Sequence, residues 1–182
     1  MRIIAGSRRG ARIFAPKGRA TRPTGDRVRE AAFNLIGRVD GARVLDLFAG
    51  SGAMGLEALS RGAADAVFVE SDRAACRAIN RNLDKLRLEG AKVLCEDVVQ
   101  ALRTEAAMGR RYDLVLVDPP YERFSSLQIG LIQYLPAVLE ADGLLVVETA
   151  TRDEPELPLA KRTSRRYGAA RLTLFEHDHG HG

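Results

Sequence analysis

Two kinds of apolar run divide this chain. Residues 43–48 (RVLDLF), 66–70 (AVFVE), 92–96 (KVLCE), 112–118 (YDLVLVD) and 143–149 (GLLVVET) are short and almost continuously apolar. Between them lie longer stretches whose apolar positions recur every three or four residues: 53–62, a segment after Ser71 or Asp72 with Cys76, Ile79, Leu83 and Leu86 on one stripe, 98–108, and 126–135, which Pro136 ends or kinks. The first kind predicts strands buried on both faces, the second amphipathic helices. Upstream, Val28, Ala31, Ala32, Leu35 and Ile36 share one face of a helix that starts at Asp26 and leaves at Gly37. Residues 2–7 and 11–16, joined by Arg8-Arg9-Gly10, read as a small hairpin, and 161–168 with 170–176 as a closing antiparallel pair around YGAA.

Alternating strands and helices predict an α/β fold, a mostly parallel sheet covered by helices on both faces. Ligands of such sheets bind outside the carboxyl ends of the strands. Here those ends carry Asp46 to Gly50, Glu70, Glu96-Asp97 and Asp118-Pro119-Pro120-Tyr121, each with an acid.

Charge adds a partner to this picture. The 182 residues carry a net +4, but residues 1–40 hold ten Arg or Lys against three acids, +7, which leaves −3 for the rest. A basic arm on a near-neutral body predicts a polyanion. Arg8, Arg9 and Arg12 at the hairpin, with Arg22, Thr24, Arg27 and Arg29, are the candidate nucleic-acid contacts. Arg162, Arg165 and Arg166 form a second basic cluster, equally suited to guarding an edge strand. No apolar run reaches the length of a membrane span, and no leader pattern is present, so a cytoplasmic protein without a membrane partner is expected. Cys76 and Cys95 form no C-x-x-C and read as buried thiols, and His177, His179 and His181 as part of a flexible tail; no metal role is expected.

Asp46–Gly55 reads DLFAGSGAMG. Gly50, Gly52 and Gly55 have the spacing of a dinucleotide turn, and Glu70 follows Gly50 by twenty residues, where it could hold ribose hydroxyls. That spacing alone leaves a nicotinamide enzyme open. A pyrophosphate, however, wants backbone N–H groups and a positive helix end, and Asp46 puts a carboxylate beside them. S-adenosylmethionine, with an ammonium, a ribose diol, an adenine amine and no phosphate, suits the acids better. The expected cofactor residues are Asp46 toward the ammonium, Gly50, Ser51 and Gly52 for close backbone approach, Glu70 at the ribose, Asp97 and Val98 at the adenine, together with Phe48, Ser71 and Asp118. Asp97 is equally suited to capping a helix.

Asp118-Pro119-Pro120-Tyr121 is the most specific chemistry in the chain. Two prolines end the strand and stiffen the turn, so that the Asp118 carboxylate and the Pro119 carbonyl stand as paired acceptors. An exocyclic amine held by both N–H bonds has its lone pair drawn out of conjugation and aimed at a methyl group. Tyr121 would stack on a flat substrate, with Phe124 as its only aromatic help. Positioning then supplies most of the catalysis.

Residues 22–37 (RPTGDRVREAAFNLIG), 44–63 (VLDLFAGSGAMGLEALSRGA), 68–72 (FVESD) and 114–121 (LVLVDPPY) together resemble the class I, Rossmann-like methyltransferases, and within them the RsmD family of small-subunit ribosomal RNA guanine-N2 methyltransferases. The first segment is the narrow one; the others occur in many amino-methylating enzymes. The resemblance implies a seven-stranded sheet with the last strand antiparallel, a small N-terminal hairpin extension (1–21), a methyltransferase domain (22–176) and a tail (177–182). It implies methyl transfer to one guanine N2 of 16S rRNA in the small ribosomal subunit or an assembly intermediate, by a monomer that works at Asp118, Pro119, Pro120 and Tyr121. The tetrapeptide itself also fits an adenine-N6 DNA or RNA methyltransferase, and a nucleotide-binding ribosome-assembly module without chemistry is the non-enzymatic alternative.

Overall fold

The computed structural model describes residues 1–16 and 25–180. Arg22, Thr24 and His181 lie outside them. Among the described residues the chain forms α1 (Gly25–Ile36), β1 (Arg43–Leu47), α2 (Ala53–Ser60), β2 (Asp65–Glu70), α3 (Arg73–Leu86), β3 (Ala91–Cys95), α4 (Val98–Ala107), β4 (Tyr112–Val117), α5 (Phe124–Val138), β5 (Leu139–Ala150), β6 (Ala160–Tyr167) and β7 (Ala170–Glu176). No helix among the described residues is long and apolar enough to cross a membrane.

The seven strands make one sheet in the order β3-β2-β1-β4-β5-β7-β6. The pairs β1–β2, β1–β4, β2–β3 and β4–β5 are parallel, while β7 runs antiparallel to both β5 and β6. The strand order reverses at β1 and β4. That switch point opens a crevice at the carboxyl ends of neighbouring strands.

Because side chains alternate along a strand, the sheet feeds two apolar layers. Val44, Phe68, Leu116 and Val146 pack with α1, α2 and α3 on one face. Leu45, Val69, Val115 and Val147 pack with α4 and α5 on the other. Pro136 lies inside α5, which ends two residues later at Val138.

The N-terminal hairpin is smaller than its apolar runs predict: a single antiparallel bridge joins Arg2 and Arg12. Its stability comes from docking on α2. Ile3 and Ile13 enter the core, the N–H groups of Ile4 and Ala5 donate to the Glu57 carboxylate at 2.7 and 3.1 Å, and the Ser7 and Arg8 amides reach the Ser60 carbonyl and hydroxyl. Gly6 lies so close to Ser60 that a Cβ there would fall 1.9 Å from its carbonyl oxygen.

The expectation of two separate buried thiols is not met. Cys76 and Cys95 form a disulfide with Cα atoms 6.0 Å apart, and Cys95 is exposed. Parallel pairing sets Cys95 beside Glu70, and α3 begins three residues after Glu70, so its first turn carries Cys76 over the end of β3. Phe124 is also reassigned: it is buried against the α4–α5 layer and does not face the crevice.

Candidate active site

The β1–α2 turn is built on left-handed backbone. Phe48, Gly50 and Gly52 have φ of 58°, 58° and 82°, a conformation that costs a bulky residue free energy and is found where surrounding structure enforces it. Two buried carboxylates do so. Asp46 accepts the Gly55 N–H at 2.9 Å. Glu70 accepts the Gly50 N–H at 2.9 Å through one oxygen and the Asp72 N–H at 2.8 Å through the other, which ties the turn to the start of α3. Gly55 has no room for a side chain: a Cβ would lie 2.4 Å from the Phe68 ring and 3.1 Å from the Asp46 carboxylate. Burial pushes the Asp46 pKa up to about 8, the Gly55 hydrogen bond opposes that shift, and the charges of Asp118 and Glu70 add to it.

Above these strand ends lies a cavity of about 630 Å³. Of the residues expected at the cofactor, Asp46, Phe48, Gly50, Ser51, Glu70, Ser71, Asp97, Val98 and Asp118 line it. Gly52 does not. It starts α2, donates to the Ala49 carbonyl at 2.8 Å, and faces the Ile79 and Phe68 side chains. Asp97 caps α4, accepting the Gln100 N–H at 3.1 Å, and also reaches the cavity wall. Of the tetrapeptide, Asp118, Pro120 and Tyr121 line the cavity, whereas Pro119 is buried away from it. The Tyr121 hydroxyl donates to Glu148 at 3.2 Å.

The basic residues separate into two groups. Arg9, Arg12 and Arg27 are exposed. Arg29 is only 3% exposed, and its guanidinium bonds Asp26, Glu57 and the Arg2 carbonyl. Arg8 donates to the Leu86 and Arg87 carbonyls at the end of α3, a favourable seat for a cation. These two hold the hairpin to the body, and burial withdraws Arg29 from the phosphate-contacting surface expected of it. Arg162, Arg165 and Arg166 are exposed on β6, the edge strand.

Three residues at the site were not anticipated. Glu148 ends the apolar run of β5 and lines the cavity. Glu57, fully buried, gathers the hairpin, Arg29 and Arg61 onto α2. Asn82, also fully buried, exchanges hydrogen bonds with the Phe14 backbone through its amide oxygen and nitrogen (2.7 and 3.0 Å) and donates to the Ser51 carbonyl at 3.1 Å. Asn82 shares a stripe with Ile79, Leu83 and Leu86, and a polar side chain on that stripe is the signal that marks it.

The sequence and the fold of this chain are similar to those of known proteins. A family model described as conserved hypothetical protein 95 matches residues 1–176. The ribosomal RNA small subunit methyltransferase D of Escherichia coli (strain K12) is 40% identical over 158 residues, covering 86% of this chain and 75% of that protein. The chain belongs to the RsmD family. A solved hypothetical protein of Thermus thermophilus superposes on it with a TM-score of 0.82 at 36% identity, covering 97% of this chain and 99% of that one. The SAM-dependent methyltransferase of Agrobacterium tumefaciens, at 19% identity, shares the fold, with a TM-score of 0.67 over 86% of this chain and 63% of its own. The chain thus has the seven-stranded methyltransferase sheet, with β7 as the antiparallel strand.

Proposed function

We propose that this chain transfers a methyl group from S-adenosylmethionine to the exocyclic N2 of a specific guanine in 16S rRNA, acting as a cytoplasmic monomer on the small subunit or an assembly intermediate. The observation that carries the cofactor is the Asp46–Gly55 hydrogen bond at 2.9 Å. A pyrophosphate would need the amides at the start of α2; here a buried carboxylate takes one of them. The same carboxylate, with Glu70 and Asp118 adding negative charge, suits a ligand with a cationic head. S-adenosylmethionine supplies the reactive methyl group, on a sulfonium that is already a good leaving group.

The chain's own residues then bind and orient. Glu70 already accepts two backbone N–H groups, and a carboxylate has about four acceptor sites, which leaves capacity for a ribose diol. Asp97 and Val98 stand at the adenine end of the cavity. Asp118 at the end of β4 and Tyr121 beside it form the amine end, and Pro119, buried behind them, stiffens the turn that presents them. Asp118 holds the amine and takes the proton it loses. Relatives named as small-subunit rRNA methyltransferases support RNA as the substrate, and exposed Arg9, Arg12 and Arg27 supply phosphate contacts.

Mass spectrometry of nucleosides after reaction with undermethylated small subunits tests the reading. N2-methylguanine is the expected product; N6-methyladenine would transfer the activity to adenine. Calorimetry should show binding of S-adenosylhomocysteine, and binding of NAD alone would refute the cofactor.

A further inference from the structure

An acceptor that grips an amine does not choose a base, because adenine N6 and guanine N2 offer the same N–H donors. The choice has to be made at the neighbouring ring nitrogen. Guanine N1 carries a hydrogen, whereas adenine N1 carries a lone pair. A group that reads this difference must be an acceptor, must stand next to Asp118, and must face the same cavity.

Glu148 meets all three conditions. In the parallel β4–β5 ladder Val117 pairs with Val147, so Asp118 and Glu148 are the next residues on adjacent strands, whose spacing is about 4.8 Å. Both line the cavity with Tyr121. The Tyr121 hydroxyl donates to one Glu148 oxygen at 3.2 Å, and a carboxylate accepts through both of its oxygens. We infer that Glu148 is a specificity-determining residue: it accepts the N1–H of the target guanine while Asp118 holds N2, and its negative charge repels the N1 lone pair of adenine. This inference rests on the guanine-N2 reading above. A site built to bond a substrate N–H rejects an analogue that lacks it strongly, because its own buried acceptor is left unpaired.

2-Aminopurine separates the two roles, since it keeps the exocyclic amine and has a lone pair at N1. The substrates are small subunits assembled on 16S RNA with either guanine or 2-aminopurine at the position that the native enzyme methylates. The native enzyme should prefer guanine by at least ~10²-fold in kcat/KM. Glu148→Gln, whose amide can donate to N1, should lower turnover of guanine and shrink that preference at least ~10-fold, with S-adenosylhomocysteine affinity unchanged. Glu148→Asp, which retains the carboxylate, should keep guanine preferred. A native enzyme that accepts both bases equally, or a Glu148→Gln enzyme that loses both activities in proportion, overturns the assignment. Should the native enzyme yield N6-methyladenine and no N2-methylguanine, the guanine reading fails and this inference with it, an outcome visible before any variant is made.

Discussion

The two ends of the cavity are both acidic, yet they are built differently. At the β1–β2 end the carboxylates are buried and bonded to backbone: Asp46 holds Gly55, and Glu70 holds Gly50 and Asp72. At the β4–β5 end Asp118, Tyr121 and Glu148 are half-buried, and Tyr121 meets Glu148 side chain to side chain. One end is a preorganised cradle whose acids first shape the turn and then meet a ligand. The other is a set of acceptors on strand ends, fixed by register and open to a large substrate. Acids at the first end should therefore govern folding and cofactor affinity together, whereas those at the second should govern turnover and base choice.

The sharpest way to break this division is Asp118→Ala. It should lower kcat by at least ~10²-fold, the scale of losing a positioned reacting group, with a far smaller change in the calorimetric Kd for S-adenosylhomocysteine. A large loss of cofactor affinity would merge the two ends.

Gly55→Ala attacks the cradle from the opposite side. Its methyl group meets the Phe68 ring and the Asp46 carboxylate, so we expect overpacking to cost ~1–3 kcal/mol, read as a lower Tm together with weaker S-adenosylhomocysteine binding. A variant with native Tm and native Kd would show that the α2–β2 contact is loose.

The pH dependence follows from Asp46. Its folded-state pKa is raised to about 8, so the folded chain holds a proton that the unfolded chain, near about 3.9, has lost. Stability of the ligand-free protein from this group is full below about pH 4 and is lost as pH rises through about 8. Cofactor affinity runs the other way: an ammonium pairs with the ionised carboxylate, so binding should tighten as pH rises toward about 8 and level off above. Asp46→Asn keeps an acceptor for the Gly55 N–H and should flatten the profile. A native profile that is flat already would remove Asp46 from the cationic head.

The smallest effect concerns neither end. Arg9→Glu and Arg12→Glu should each reduce the salt slope of RNA binding by ~1 and leave cofactor affinity alone, whereas Arg8→Ala should lower Tm, because Arg8 bonds the end of α3. Equal salt effects from all three would place Arg8 among the phosphate contacts.

Most of the sheet was legible, because a strand buried on both faces leaves an apolar run that no loop imitates. The β6–β7 pair was legible from alternation around YGAA. The cradle acids were legible because Glu70 ends such a run and Asp46 interrupts another just before the glycines. Glu148 was not: it also ends an apolar run, but its importance comes from the β4–β5 register, which brings it beside Asp118 from thirty residues away and leaves no local mark. Arg29 was misread because helical periodicity assigns a lone Arg to solvent, and only the docked hairpin and Glu57 provide enough partners to bury it. Sulfur pairing was missed for a similar reason, since nothing in the spacing of Cys76 and Cys95 reveals that α3 crosses the end of β3.

One side chain ties the N-terminal hairpin to the glycine turn. Asn82 grips the backbone where the hairpin leaves at Phe14 and the carbonyl of Ser51 in the glycine turn. Thermodynamic linkage is reciprocal. A polymer that draws Phe14 away from Asn82, and so shifts the Ser51 turn, would change nucleoside affinity by the same factor by which the nucleoside changes its grip on the polymer. The order in which the two arrive cannot alter that product.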